Sequence, residues 1–222
     1  MSTGKLYIIA TPIGNMNDIT FRAIETMKNC DYILCEDTRV SKKLLDHYQI
    51  TTRTISYHHH SDERKIKEIS SLLEQSFKVA LITDAGTPGI SDPGNQLIAT
   101  LVKKFPELAI EPIPGVSAVT TALSISGFPT DKFIFLGFPP HKNKRNKYFD
   151  ELANEKRTVV FFESGHRIKK CLNELKERLS SDRQLVVCRE LTKKFESVYR
   201  GTIDDILNKN IDERGEFVIV IN

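Results

Sequence analysis

The sequence has almost no excess of charge: 32 basic residues face 29 acidic ones across 222 positions, a net of +3. That near balance excludes nucleic-acid binding driven by the overall field and leaves any such role to a local basic patch. Long apolar runs are missing, and no stretch approaches the roughly 18 apolar residues of a membrane span. The amino terminus has no apolar region of the kind that makes a signal peptide. Cysteine is scarce and unpatterned: Cys30, Cys35, Cys171 and Cys188 show no Cys-x-x-Cys spacing, and Cys35 and Cys188 sit in apolar runs, so reduced thiols and a cytoplasmic setting are expected. A Gly-Lys-Ser/Thr phosphate loop is absent, and the first loop is too poor in glycine for a Gly-x-Gly-x-x-Gly fingerprint, which weakens ATP and NAD readings alike.

What is present is concentrated at residues 79–94, Val-Ala-Leu-Ile-Thr-Asp-Ala-Gly-Thr-Pro-Gly-Ile-Ser-Asp-Pro-Gly. Four apolar residues suit a strand buried on both faces. They run into a loop where Gly86, Gly89 and Gly94 permit positive φ and Pro88 and Pro93 fix it. An ordinary strand-to-helix turn needs only about two to six residues, so a longer one is read as a ligand loop. Strand-like runs at 6–10, 32–35, 79–82 and 110–113 alternate with amphipathic helical segments at 21–28, 40–48, 63–74 and 96–105, which predicts a mostly parallel sheet. Past the Pro112-Ile113-Pro114-Gly115 hinge come a helix at 117–126 and strands at 133–138, 159–162, 185–188, 197–200 and 217–221, with sparser helices. The expected class is α/β with two domains: a mostly parallel α/β domain over 1–114 and a mixed α+β domain over 115–222.

In an open α/β sheet, ligands settle beyond the carboxyl ends of the strands. The loops there read Thr11-Pro12-Ile13-Gly14-Asn15, Glu36-Asp37-Thr38-Arg39 and Asp84-Ala85-Gly86-Thr87-Pro88. Together with Pro112-Ile113-Pro114-Gly115-Val116-Ser117-Ala118, Phe162-Glu163-Ser164-Gly165-His166-Arg167, Arg189-Glu190-Leu191-Thr192-Lys193 and Arg200-Gly201-Thr202, they make the chain resemble the tetrapyrrole methylase superfamily over nearly its whole length. The likeness is greatest to the branch that methylates small-subunit ribosomal RNA. The resemblance implies a homodimeric, S-adenosylmethionine-dependent enzyme that methylates the ribose 2′-hydroxyl of a cytidine in small-subunit (16S) ribosomal RNA. It also implies cofactor contacts at Pro12, Ala85, Gly86, Thr87, Ile90, Ser117 and Ala118, with the second domain completing the cofactor site. Ser117 stands where a helix N-cap would attract a carboxylate. Residues 83–88 hold one charge, Asp84; it either faces the cationic sulfonium or braces the turn.

Methyl transfer to a hydroxyl needs an acceptor for its proton. Glu36, Asp37, Glu163 and His166 follow strands and are the catalytic candidates, against an Asp37–Arg39 ion pair and a helix-start role for Glu163. RNA contact is expected from Lys142, Lys144, Arg145 and Lys147, in a run undiluted by acids, with Arg22, Arg39, Arg167 and Arg189 as further phosphate ligands; a solvated helix face is the plainer reading of the run. Adjacent His58, His59 and His60 point to alternate faces of a strand, so no metal is expected. Gly165 replaces a proline usual in that family and Gly89 a leucine, which should loosen both loops. A tetrapyrrole or protein-histidine methyltransferase is the nearer alternative, and a noncatalytic RNA-binding protein the more distant one.

Overall fold

In the computed structural model, which describes residues 3–59 and 61–222, the first five strands all run the same way. β1 (Lys5–Ile9), β2 (Tyr32–Cys35), β3 (Arg53–Ser56), β4 (Lys78–Leu81) and β5 (Ala109–Ile113) form one parallel sheet in the order β3-β2-β4-β1-β5. Between them lie α1 (Phe21–Lys28), α2 (Thr38–His47), α3 (Glu63–Glu74) and α4 (Asn95–Lys104). Alternation along each strand divides the apolar side chains between two layers. Leu6, Leu34, Val79 and Leu81 pack with Ile69 and Leu73 of α3 and Leu97 and Leu101 of α4. Ile9, Ile33, Cys35, Ala80 and Ile82 pack with Ala23 and Met27 of α1 and Leu45 of α2. Helix starts are capped by short polar side chains, which satisfy N–H groups left over at a first turn: Thr20 accepts from Ala23 N at 3.1 Å and Asp62 from Lys65 N at 3.1 Å. The sheet therefore presents all five carboxyl ends along one edge.

The second sheet is mixed, in the order β6-β7-β10-β8-β9. Its strands are β6 (Phe133–Phe135), β7 (Thr158–Ser164), β8 (Gln184–Arg189), β9 (Ser197–Thr202) and β10 (Glu216–Ile221). Only β6 and β7 pair in parallel. One face carries Val159, Phe161, Leu185, Val187, Phe217 and Ile219 against α6 (Arg145–Asn154), α7 (Gly165–Lys176) and α8 (Ile203–Leu207). α5 (Ala118–Ser126) packs against β7 and β10.

The chain divides into compact units at Met1–Ser117 and Ala118–Asn222, three residues beyond the 114/115 boundary read from the sequence. One strand was not read from the sequence, and one expectation needs correction. β3 has no apolar run because it is an edge strand whose Arg53, Thr54 and Ser56 are exposed. Helices are not sparse in the second unit: four α-helices lie in each unit among the described residues. Ile168, Cys171, Leu172 and Leu175 carry the helical spacing that marks the buried face of α7.

Candidate functional site

Beyond the carboxyl ends of the parallel strands, the loops are stitched to one another. Thr11, after β1, exchanges both backbone hydrogen bonds with Gly86, after β4: Thr11 N donates to Gly86 O at 2.9 Å and Gly86 N to Thr11 O at 3.1 Å. The buried Thr11 hydroxyl donates to Thr83 O at 3.0 Å. Thr87 Oγ1 donates to Val116 O, after β5, at 3.3 Å. Gly86 takes φ +82°, where a Cβ is disfavoured and would stand 3.4 Å from Ile13 Cγ2 and 3.9 Å from Val116 O. Pro12 and Gly86 are buried, Thr87 is half-buried, and Ala85 and Ile90 are exposed. Ser117 immediately precedes α5, whose first residue is Ala118.

Glycine 89, also at φ +82°, is pinned, because Asn95 Nδ2 donates to its carbonyl at 2.8 Å and a Cβ would lie 2.6 Å from Asn95 Oδ1. The expected slack at this position is taken up by that bond.

Three carboxylates gather where β2 and β4 end side by side. Thr83 Oγ1 donates to Glu36 Oε2 at 2.7 Å, and Asp37 N donates to Asp84 Oδ1 at 3.2 Å. Asp37 also forms a forked ion pair with Arg39, Nη2 to Oδ2 at 2.6 Å and Nε to Oδ1 at 3.1 Å, so its carboxyl is held well below the usual aspartate range. Asp84 is shifted the other way, upward from 3.8. Asp84 stays exposed; partial withdrawal from water is the main cause, the Asp37 N–H opposes it, and the neighbouring charges of Glu36 and Asp37 add to it. Thr83, a brace between Glu36 and Thr11, was legible in the sequence only as a polar residue closing an apolar run.

The second unit puts several residues expected at the site to other use. Glu163 is 0% exposed and lies between two arginines, Arg167 Nη2 at 2.7 Å and Arg145 Nη2 at 3.4 Å. Arg145, 4% exposed, also pairs with Glu174 at 2.7 Å and donates to Pro140 O at 3.0 Å. Arg167 donates to Ser164 Oγ at 3.0 Å and Pro139 O at 3.2 Å. Arg189 donates to Arg214 O at 2.7 Å and Phe195 O at 2.9 Å and pairs with Asp212 at 3.1 Å. A buried carboxylate with two cations on it is no open proton acceptor, and guanidinium groups bonded internally are not placed to grip phosphate. Burial and the local ion pairs, neither visible in composition, override the expectations for Glu163, Arg145, Arg167 and Arg189. Lys142, Lys144, Lys147, His166 and Arg22 remain exposed, and the Arg39 side chain is 89% exposed.

Gly165 is also not a loosened point. Its N–H donates to Gly215 O at 2.9 Å, and any Cβ there would collide with Glu213 O.

All four cysteines are buried and unbridged. Burial pushes the Cys30 thiol up to about 12 and those of Cys35 and Cys188 to about 11, so they pack as apolar groups. Among the described residues, no group of three His, Cys, Asp or Glu is placed to hold a metal ion; His60 lies outside those residues. No described helix is long and apolar enough to cross a membrane.

The model of the Tetrapyrrole (Corrin/Porphyrin) Methylases family matches residues 5–207. A ribosomal RNA small subunit methyltransferase I of Halalkalibacterium halodurans is 43% identical over 221 residues, covering 98% of this chain and 75% of that protein. The protein of the same name from Thermotoga maritima is 40% identical over 221 residues, covering 99% and 98%. Among solved structures, a cobalt precorrin-4 methyltransferase superposes with a TM-score of 0.70 at 21% identity, covering 97% of this chain and 94% of its own.

Proposed function

The chain belongs to the tetrapyrrole methylase family, and from that premise we propose that this methyltransferase transfers the methyl group of S-adenosylmethionine to the ribose 2′-hydroxyl of a cytidine in small-subunit ribosomal RNA. The observation that carries the reading is the stitched edge of the parallel sheet, where a long loop held at Thr11 and Gly86 lies beside Glu36, Asp37 and Asp84. The family supplies the class of reaction and the 40–43% identical relatives the class of acceptor. Tetrapyrrole enzymes match far more distantly, at 21%, so a tetrapyrrole acceptor is not favoured. The long ligand loop has no use in a merely RNA-binding protein.

The residues present fit the donor. When bound, S-adenosylmethionine supplies an electrophilic methyl group on a sulfonium cation. An edge with three acids and one internally paired cation, Arg39, suits a positive ligand better than a polyphosphate. Pro12, Ala85, Gly86, Thr87 and Ile90, with Ser117 and Ala118 at the start of α5, are the residues that would hold it.

The chain's own part in the reaction is to fix the ribose hydroxyl in line with the methyl carbon and to accept its proton. Of the acids, Asp84 is the best acceptor. Its carboxyl is raised by withdrawal from water and by two neighbouring carboxylates, which makes it a stronger base than Asp37, whose charge is spent on Arg39. Glu36, oriented by Thr83, keeps that field in place. Lys142, Lys144 and Lys147 supply phosphate contacts. The protein works as a homodimer in the cytoplasm.

The test is methyl transfer from labelled S-adenosylmethionine to small ribosomal subunits from cells lacking the enzyme, with mapping of the product. Label on a cytidine ribose is expected. Label on a base, or on a tetrapyrrole but not on ribosomal particles, would contradict the reading.

A further inference from the structure

We propose that the turn joining β8 to β9, residues 190–196, is a stacking site for an unpaired base of the RNA substrate, with the Phe195 ring as platform and the Lys194 ammonium for the adjoining phosphate. The inference rests on the reading of the substrate as RNA. Phe195 is 64% exposed. A single exposed apolar residue is unremarkable by itself; the way this one is mounted is not.

The turn that carries the ring adopts conformations that L-residues avoid, with φ +52° at Glu190 and +65° at Thr192. Such strain persists only where the surroundings dictate it, and it gathers at functional loops. Here the surroundings are dense. Glu190 N donates to Glu216 O at 2.9 Å, Lys193 N to Glu190 O at 3.0 Å and Glu196 N to Lys193 O at 3.1 Å. Lys193 Nζ bridges Glu190 at 2.9 Å and Glu216 at 2.8 Å. The buried Arg189 guanidinium donates to the carbonyl of Phe195 itself at 2.9 Å. Arg189 thus acts on the substrate through Phe195, as a positioning residue.

These contacts engage the acids around the ring, though Glu190 and Glu216 share one lysine and Glu196 is held by a backbone N–H rather than a cation. Glu190 is taken up by Lys193, Asp212 by Arg189 and Arg214, and Glu196 accepts from Thr192 N at 2.6 Å. The exposed Lys194 keeps its Nζ 5.6 Å from the Phe195 centroid. A firmly mounted aromatic ring with a cation over one face is an arrangement that binds single-stranded nucleic acid: the ring stacks a base on its other face, the cation meets the backbone, and little order has to be created on binding.

Small ribosomal subunits from cells lacking the enzyme are titrated with the wild-type chain and with F195A, F195L, F195Y and K194A, alongside cofactor binding, thermal unfolding and sedimentation. F195A is expected to weaken subunit binding by about 5- to 150-fold, the equivalent of one lost stacked base. F195L should resemble F195A and F195Y should restore affinity, because a π face rather than apolarity is required. F195A should leave the salt dependence unchanged, while K194A should lower its slope by about 0.7. Cofactor affinity, unfolding temperature and oligomeric state should not move. F195A binding like wild type, with wild-type methylation intact, overturns the stacking site and spares the functional reading. A change of oligomeric state at unchanged subunit affinity assigns Phe195 to a second copy of the chain and also overturns it. A wild-type chain that neither binds nor methylates subunits overturns the functional reading itself.

Discussion

Two acidic motifs lie at strand ends in this chain, Glu36-Asp37-Thr38-Arg39 just after β2 and Glu163-Ser164-Gly165-His166-Arg167 running from the last two residues of β7 into α7, and they meet opposite fates. Glu163 is sealed from water with two guanidinium groups on it. Burying a charge is tolerable only with such compensation, and removing one partner leaves the others stranded. At the β2 edge the balance is reversed. Three carboxylates gather around one arginine that pairs with Asp37 alone, and Asp84 is raised by withdrawal from water and then by the neighbours that crowd it. Compensated acids hold a fold together, whereas crowded acids at a strand end are poised to take protons. Motif spelling does not distinguish the two cases; the number of cations each carboxylate keeps does.

If that contrast is right, Asp84→Asn will lower the single-turnover rate of methyl transfer at saturating cofactor by about a hundredfold to ten-thousandfold, the range for a lost proton acceptor. Glu163→Ala will instead cost the second unit up to about 3–5 kcal/mol of unfolding free energy, read by chemical denaturation, because the half-buried Arg167 loses its carboxylate and the buried Arg145 keeps only the Glu174 carboxylate. Replacing Lys142, Lys144 and Lys147 together will lower the slope of log affinity for ribosomal subunits against log salt by about 0.7 to 0.9 per lost contact. Arg145, bound to Glu174 and Pro140, will act through stability and not through that slope.

The smallest effect is a shift in pH dependence. Asp84 accepts a proton only when ionised, so the rate should fall as pH drops through its carboxyl pKa, which lies above the ordinary 3.8. Glu36→Gln removes one repelling charge and lowers that pKa. The acid limb of the single-turnover profile should then move to lower pH; a limb that stays or rises would detach Glu36 from Asp84.

Much of the first unit was legible because its signals are local. The apolar strands at 32–35 and 79–82 and the glycines of the long loop are written residue by residue, and Gly86, Gly89 and Gly94 all take the positive φ their placement suggested. The second unit hides its logic in long-range pairs. Arg145 reads as part of a basic run, yet it meets Glu163 and Glu174, 18 and 29 residues away. Arg189 reads as a phosphate ligand, yet it closes on Asp212 and on two backbone carbonyls. No spacing rule reveals such partners. β3 was missed because an exposed edge strand needs no apolar run, and α7 because a charged surface masked its buried stripe.

The most direct test of the contrast is a crossed measurement on Asp84→Asn and Glu163→Gln, taking the single-turnover methylation rate per folded molecule and the unfolding free energy for each. Asp84→Asn should lose rate and keep stability, whereas Glu163→Gln should lose stability and keep its rate at a temperature where it remains folded. The opposite pairing, with Glu163→Gln folded but inactive and Asp84→Asn unfolding early at full rate, would contradict the assignment of chemistry to the crowded carboxylates.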